Sequence, residues 1–325
     1  MRMGIATAAV LLAAVPALAD FEYEGKWGAQ GTGEGQFDHP WDVAVAPGGR
    51  VFVVDRHNHR VQYFTPTGSY LGKWGSYGTA AGKFRFPSGI AASATSVYVG
   101  DSLNHRIQYF TAGGSLLTSW GTGGTGEGQF NKPLGVALAP NGNVYVVDAG
   151  NYRVQYFSPA GSFLGRWGAR GSGQGRFDDP QGIAVGENGN VYVADAGNHR
   201  VQRFTSGGSY VRSWGTRGSG DGQFNTPCGV AVGPEGNIYV VDCYNHRIQY
   251  FTPTGSFLGK WGSVGTGDGQ LNYAWGVAAT RWSRTDTSTV RVYVADTNNN
   301  RVQYFKDVRP AVEPTSLGRV KGLFK

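Results

Sequence analysis

Short runs of apolar, β-branched and aromatic residues alternate with turn-forming residues along most of the chain. In one stretch these runs cover residues 42–46, 51–54, 60–64 and 70–74, with Gly, Pro, Asn and Thr between them. Runs of this length and composition are typical of β-strands. No segment shows the period of about 3.6 residues that marks an amphipathic helix, so the pattern predicts an all-β protein.

The same pattern occurs six times. Trp followed by Gly recurs every 46 or 47 residues, at Trp27, Trp74, Trp120, Trp167, Trp214 and Trp261. Four short antiparallel strands in a repeat of this length make one blade of a propeller. The sequence therefore predicts a six-bladed β-propeller of four-stranded antiparallel blades.

The ends of the repeated region predict how the ring closes. Residues 21–27 match the fourth strand of a copy, such as residues 69–74, whereas the last copy stops after its third strand at residues 301–305. We therefore expect the N-terminal strand to complete the last blade as its outermost strand. Closure of this kind leaves no open strand edge between the first and last blades.

The chain divides into three segments. Residues 1–19 contain Arg2, an Ala-, Val- and Leu-rich run and the sequence Ala17-Leu18-Ala19, which is typical of a cleaved signal peptide; the run is short for a membrane anchor. Residues 20–305 form the propeller, and residues 306–325 form a basic C-terminal tail. The sequence thus predicts a secreted or periplasmic protein with no membrane span after cleavage.

One copy shows the repeat motif almost whole. Residues 177–204 contain F-x-x-P-x-G-I-A-V followed by G-N-V-Y-V-A-D-x-x-N-x-R-V-Q-x-F. This motif resembles the NHL repeat, and the resemblance extends over the whole region between the signal peptide and the tail. It implies a six-bladed propeller. It does not imply one activity, because similar repeats occur in RNA-binding regulators, receptor sensor domains, an amidating lyase and many exported bacterial proteins.

Because the chain repeats itself, each blade serves as a control for the others. A residue found in every blade is most simply structural, whereas one that differs between blades is free to serve a ligand. An Asp and an Arg five residues later occur in all six copies, so we expect them to form a hydrogen-bonded latch. These pairs are Asp55/Arg60, Asp101/Arg106, Asp148/Arg153, Asp195/Arg200, Asp242/Arg247 and Asp296/Arg301.

The position before the repeated Arg is polar in every blade. It holds His59, His105, Tyr152, His199, His246 and Asn300. In a sixfold ring these positions lie about 10 Å or more from the centre, given the spacing between strands. Ligands of one zinc ion lie about 2 Å from it, so we predict a basic, hydrogen-bonding rim and no metal or other cofactor.

The first residue of each innermost strand opens on the channel mouth. It reads Trp41, Ser88, Leu134, Gln181, Cys228 and Trp275. The lyase that the resemblance suggests holds zinc with histidines at its cavity, and propeller lactonases hold calcium with carboxylates and amides; the mouth offers neither set, since Asp42 is the only nearby carboxylate. Without a catalytic set that stands apart from the repeat, we expect a non-enzyme. A lyase or lactonase remains the alternative.

Trp41 and Trp275 belong to neighbouring blades of the closed ring, so we expect them to lie side by side at the mouth. They either plug the channel or stack on a ligand. Together with the polar rim they form the predicted binding face. An insertion of about seven residues in the last copy, with Arg281, Trp282 and Arg284, lies on the opposite face and is the second candidate.

These observations favour an exported binding or scaffold protein, expected to be a monomer, that recognises a protein or a cell-envelope glycan. RNA binding is a third possibility. The formal net charge is +7, and it falls to +6 when Arg2 is lost with the signal peptide. A charge of that size is moderate for a nucleic-acid-binding protein, and the export signal argues against RNA.

Cys228 and Cys243 are the only cysteines of the chain. Both fall in the fifth blade, on either side of a predicted hairpin. If Gly233 pairs with Ile238, the two cysteines face each other directly, within the reach of a disulfide. We predict that they form one, since disulfides persist in exported proteins.

Overall fold

The structure is a computed structural model that describes residues 20–281 and 289–308. Within these residues, twenty-four strands form six four-stranded antiparallel sheets, the blades of a propeller. From innermost to outermost strand, the blades are Pro40–Val45, Val51–Asp55, Arg60–Phe64 and Tyr70–Trp74; Pro87–Ala92, Ser96–Asp101, Arg106–Thr111 and Leu116–Trp120; Pro133–Leu138, Val144–Asp148, Arg153–Phe157 and Phe163–Trp167; Pro180–Val185, Val191–Asp195, Arg200–Phe204 and Tyr210–Trp214; Pro227–Val232, Ile238–Asp242, Arg247–Phe251 and Phe257–Trp261; and Val277–Arg281, Val290–Asp296, Arg301–Asp307 and Phe21–Trp27.

Short 3-10 turns join the second and third strands of blades two to six. They are Ser102–Asn104, Ala149–Asn151, Ala196–Asn198, Cys243–Asn245 and Thr297–Asn299. Across the described ranges, no helix is long and apolar enough to cross a membrane. The predicted signal peptide, Trp282 and Arg284 of the insertion, and residues 309–325 of the tail lie outside the described residues.

The N-terminal strand closes the ring, as the sequence predicts. It pairs antiparallel with the third strand of blade six, with Trp27 opposite Val302 and Tyr23 opposite Phe305. The pairing continues to Phe21 opposite Asp307. The third strand therefore runs two residues beyond the expected end of the propeller at residue 305, because the N-terminal strand is long enough to pair with them.

The apolar cores lie between neighbouring blades. In the described part of the chain, six clusters of buried apolar side chains occupy the six interfaces between blades. Between blades one and two, for example, Phe52 and Val54 pack against Ile90 and Val97. Since each interface needs both of its blades, the closed ring buries all six cores.

The tryptophan of each Trp–Gly pair serves this packing. The Trp27 ring lies against Gly68 in the turn between the third and outer strands of the next blade, where a Cβ would come within 2.7 Å of the ring. Gly68 also has a φ of +92°, a conformation that glycine adopts without strain. The last Trp of the series, Trp261, instead stacks on Phe21 with ring centroids 4.4 Å apart, so the N-terminal strand fills the remaining interface.

Candidate functional site

The mouth face is the end of the ring where the innermost strands begin. It also carries the turns between second and third strands and the crossovers between blades. Trp41 and Trp275 lie side by side there, as expected, with ring centroids 3.9 Å apart and planes 22° apart. The guanidinium of Arg56 lies 4.0 Å from the Trp41 ring centre. Two groups this close cannot share one face of the ring, so they cover both faces of Trp41.

This sandwich bears on the two predicted roles of the tryptophans. With Arg56 on one side and Trp275 on the other, Trp41 has no ring face left for a ligand. Burial lowers the pKa of Arg56 to about 10, so its side chain stays cationic at neutral pH and gains from the π-cloud. For Trp41 the geometry therefore suits a plug at the mouth better than a stacking platform.

Close packing of backbone makes the channel narrow. In five blades a glycine directly follows the residue at the channel mouth: Gly89, Gly135, Gly182, Gly229 and Gly276. A Cβ on any of them would come within 2.1–2.6 Å of the neighbouring blade. The cavity at the mouth measures about 40 Å³. That volume holds a few water molecules and excludes a sugar ring or a large side chain.

Asp42 takes the place of this glycine in blade one. Its carboxylate accepts backbone N–H groups from Val43, at 2.9 Å, and from Ile90 of the next blade, at 3.0 Å. Asp42 is half-buried, since part of its surface borders the channel cavity. The blades around the channel nevertheless enclose its carboxylate. This burial raises the pKa of Asp42 to about 7, although both hydrogen bonds act to lower it.

The Asp and Arg of each blade form an ion pair, with the arginine Nε 2.6–2.8 Å from the carboxylate. In blade one, Asp55 also accepts the N–H of Asp38, and Arg60 donates to the carbonyl groups of Thr32, Gly33 and Gln36. Those carbonyls belong to the crossover that enters the blade. The pair thus ties the crossover to the blade and leaves little of either charged group for a ligand.

The rim histidines are hydrogen-bonded across blades. In each case Nδ1 accepts a backbone N–H of the next blade at 3.1–3.3 Å. In blade six the Oδ1 of Asn300 does the same for the N–H of His39, at 2.9 Å. The donors for the histidines are Phe86 for His59, Lys132 for His105, Thr226 for His199 and Tyr273 for His246. An accepting Nδ1 carries no proton, so these rings are neutral.

We expect acid to destabilise the ring through these histidines. Burial lowers the pKa of His199 and of His246. The unfolded chain therefore binds more protons as the pH falls below about 6.5, and the free energy of unfolding decreases in that direction. Thermal melting at pH 8 and pH 5 should show this loss.

A double variant, His199→Asn with His246→Asn, gives the control. Asn300 shows that asparagine can supply the same acceptor at this position, and asparagine does not titrate. The variant should melt like the wild type at pH 8 and lose less stability at pH 5. Alanine at both positions should cost about 1 kcal/mol for each hydrogen bond relative to the asparagine variant, at either pH. Equal acid sensitivity of the wild type and the asparagine variant would show that other groups are responsible.

Cys228 and Cys243 are joined by a disulfide, with Cα atoms 6.0 Å apart. The register used to predict it was wrong by one residue, since Val232, and not Gly233, pairs with Ile238. A bulge between Pro227 and Val230 shifts the pairing by one further residue, yet the two Cα atoms remain within the range of a disulfide. The equivalent positions are also in contact in other blades. In blade one Arg56 lies over the Trp41 ring, and in blade two Ser102 donates a 2.8 Å hydrogen bond to Ser88.

The opposite end of the channel has a larger depression, of about 510 Å³. The turns between innermost and second strands line it, among them Pro47, Gly48, Glu187, Pro234 and Arg281. This is the second candidate face. Apart from Glu187 and Arg281, its lining side chains are small or apolar.

Comparison with known families bears on this arrangement. The NHL repeat matches residues 37–64, 130–157, 177–204 and 224–251. Each match runs from a crossover phenylalanine to the end of a third strand, and the remaining two blades are four-stranded sheets as well. The protein is an NHL-repeat propeller.

Curated relatives resemble the NHL-repeat propeller over one short stretch. E3 ubiquitin-protein ligase TRIM71 of Rattus norvegicus is 46% identical over 44 residues, which are 14% of this chain and 5% of that protein. Protein lin-41 of Caenorhabditis elegans is 42% identical over 45 residues, 14% of this chain and 4% of that protein. The similarity is about one blade long, so it does not extend to the activities of those proteins.

Solved structures resemble the NHL-repeat propeller over most of its length. An auxiliary nutrient binding protein from Bacteroides thetaiotaomicron has a TM-score of 0.62 and 14% identity, covering 88% of this chain and 73% of that one. A gluconolactonase from Xanthomonas campestris has a TM-score of 0.60 and 16% identity, and the match covers 84% of this chain and 87% of that one. Virginiamycin B lyase from Staphylococcus aureus has a TM-score of 0.54 and 11% identity, and the match covers 88% of this chain and 99% of that one. At these identities the likeness shows the fold alone.

The propeller also brings together three residues that the sequence interpretation missed. Asp38, His39 and His57 lie on the mouth face of blade one, and their ligand atoms are all within 4.8 Å of one another. A signal was present in the repeat, because the position of His57 is Leu103, Gly150, Gly197, Tyr244 and Asn298 in the other blades. Only the histidines that directly precede the repeated Arg were considered.

Proposed function

We propose that the protein is a non-catalytic, extracytoplasmic binding module that recognises a protein or a cell-envelope glycan on its mouth face. One observation carries the proposal: this face presents side chains that change from blade to blade, around a channel that admits only water. A partner would therefore lie across the face instead of entering the ring.

The exposed side chains of the mouth face are of the kind found in recognition surfaces. Tyr77 is 61% exposed, Tyr244 is 50% exposed and Val264 is 64% exposed. The guanidinium of Arg170 lies 5.2 Å from the Tyr152 ring centre. Aromatic and arginine side chains are enriched where proteins bind their partners, and glycans are bound by aromatic rings as well.

Four features support a role without catalysis. Asp42 borders the channel with hydrogen bonds to backbone groups, and the rim histidines use Nδ1 to hold the next blade. The repeated Asp and Arg side chains neutralise each other. Among residues 20–281 and 289–308, the one cluster of three potential metal ligands is Asp38, His39 and His57, and it lies on the outer surface of the mouth face.

The proposed location outside the cytoplasm has two supports. The first is the predicted signal peptide of residues 1–19. The second is the Cys228–Cys243 disulfide, since disulfides persist chiefly in oxidising compartments.

Glycan and peptide arrays probed with the purified protein test the proposal. The strongest array binder is then titrated against two double variants. Tyr77→Gln with Tyr244→Gly places on the mouth face residues that other blades have at these positions, Gln30 and Gly150, so folding should be retained. Glu187→Ala with Arg281→Ala alters the opposite face.

We expect the mouth variant to bind about 30-fold more weakly, as for two contact residues that each contribute about 1 kcal/mol. The opposite-face variant should bind like the wild type. Weakening by the opposite-face variant alone would place the site at the larger depression. Turnover of a lactone or of virginiamycin B by the purified protein would contradict the non-catalytic assignment.

A further inference from the structure

The geometry points to a binding site for a divalent transition-metal ion of the Zn²⁺ type, formed by Asp38, His39 and His57 on the mouth face of blade one. This inference does not depend on the proposed partner binding. Two imidazoles and one carboxylate suit Zn²⁺, Ni²⁺, Co²⁺ or Cu²⁺. Ca²⁺ and Mg²⁺ are less suited, because they prefer oxygen ligands and only one of the three is an oxygen.

The ligand atoms are nearly at the spacing that a tetrahedral ion requires. Oδ1 of Asp38 lies 3.5 Å from Nδ1 of His57, and ligands about 2.0–2.2 Å from a tetrahedral ion are about 3.3–3.5 Å apart. The same oxygen lies 2.6 Å from Nδ1 of His39, in a hydrogen bond. An ion entering between them replaces that proton and needs the two atoms to separate by somewhat less than about 1 Å.

The backbone around the three ligands is held in place by hydrogen bonds. The N–H of Asp38 donates to Oδ1 of Asp55 at 2.8 Å, and the N–H of His39 donates to Asn300 at 2.9 Å. The N–H of His57 donates to the carbonyl of Asp38 at 3.1 Å. The crossover and the turn that carry the ligands are thus fixed to each other and to blade six, so binding requires only side-chain adjustment.

The rings of His39 and His57 are in contact with each other. They are stacked, with centroids 4.3 Å apart and planes 30° apart. Each ligand side chain is also accessible to solvent, with 36–38% of its area exposed. An ion can therefore reach the site, and three protein ligands leave one tetrahedral position open for water.

Comparison between blades shows that the ligands are not part of the repeated framework. The hydrogen bond from His57 to Asp38 recurs in other blades, for instance from Gly150 to Asn131 and from Tyr244 to Asn225. The backbone arrangement is therefore common, whereas the combination of one Asp and two His side chains on it occurs in blade one alone.

Zinc titration of chelator-treated protein by calorimetry tests the site, with the visible spectrum of bound Co²⁺ as a second readout. The ligand variants are His57→Gly and His39→Thr, which match Gly150 and Thr226 of other blades and should therefore fold. The control variant is His199→Asn with His246→Asn, which removes two histidines from other blades.

We expect the wild type and the control to bind one ion per chain. Loss of a residue that only hydrogen-bonds to a metal ligand lowers the metal affinity by about 10–100-fold. Each ligand variant should therefore lose about 100-fold or more in affinity for the ion. Their melting temperatures without metal should match that of the wild type. Absence of saturable binding at one ion per chain, or equal binding by His57→Gly and the wild type, would overturn the proposal.

Discussion

Deletion of residues 20–27 is expected to lower the melting temperature by at least about 10 °C or to prevent folding. The deletion removes the outer strand of blade six and exposes the edge of Arg301–Asp307. It also removes Phe21, which is buried between blades five and six and stacked on Trp261. Loss of a buried phenylalanine side chain alone costs about 3–5 kcal/mol.

The deletion also breaks an ion pair. Glu24 of the N-terminal strand accepts two hydrogen bonds from Arg291 of blade six, whose side chain is 2% exposed. Removal of one member of a buried ion pair costs about 3–5 kcal/mol more. For a domain of this size about 1 kcal/mol corresponds to about 2 °C, so the two losses together account for the expected shift.

A synthetic peptide of residues 20–27 gives the control for this deletion. If the loss comes from the missing strand, the added peptide should pair with Arg301–Asp307 and restore part of the melting temperature. Melting of the deletion variant at the wild-type temperature would mean that the N-terminal strand does not close the ring.

Asp195→Ala is expected to lower the free energy of unfolding by about 3–5 kcal/mol, the usual cost of leaving a buried charge unpaired. Asp195 is fully buried. Its Oδ2 accepts Arg200 at 2.7 Å, Asn198 at 2.9 Å and Gln202 at 3.0 Å. All three donors lose this acceptor, and the crossover held by Arg200 loosens.

Asp221→Ala is the matched control, measured by urea unfolding alongside Asp195→Ala. Asp221 also pairs with a cation, Lys260, but its side chain is 53% exposed, and such surface pairs contribute at most about 1 kcal/mol. If the two variants differ by less than about 1 kcal/mol, the repeated pair is not the structural latch described here.

The fold was predictable because the repeat encodes it at several levels. Strand length, turn residues and the Trp–Gly spacing all indicated blades, and residues 21–27 could be matched to an outer strand. The pairing of the cysteines was predictable for a different reason, since Cys228 and Cys243 are the only two. Their register was not, because it depends on where the hairpin loop begins, and Val232 instead of Gly233 pairs with Ile238.

The candidate site was less predictable, because side-chain direction depends on local backbone conformation. His199 has a φ of +53°, which turns its ring toward the next blade, and spacing alone does not reveal this. The contact of Arg56 with Trp41 depends on the conformation of the turn after the second strand, which the sequence does not specify. Asp38 and His57 meet only because a crossover packs against a turn 19 residues away.

Side-chain footprinting of the protein with its strongest array binder tests the central claim most directly, since it maps the contact surface without altering any residue. The account predicts that the partner protects Tyr77 and Tyr244 on the mouth face and leaves Pro47, Glu187 and Pro234 at the opposite end unchanged. Protection of those three residues, with Tyr77 and Tyr244 labelled as in the free protein, would contradict it.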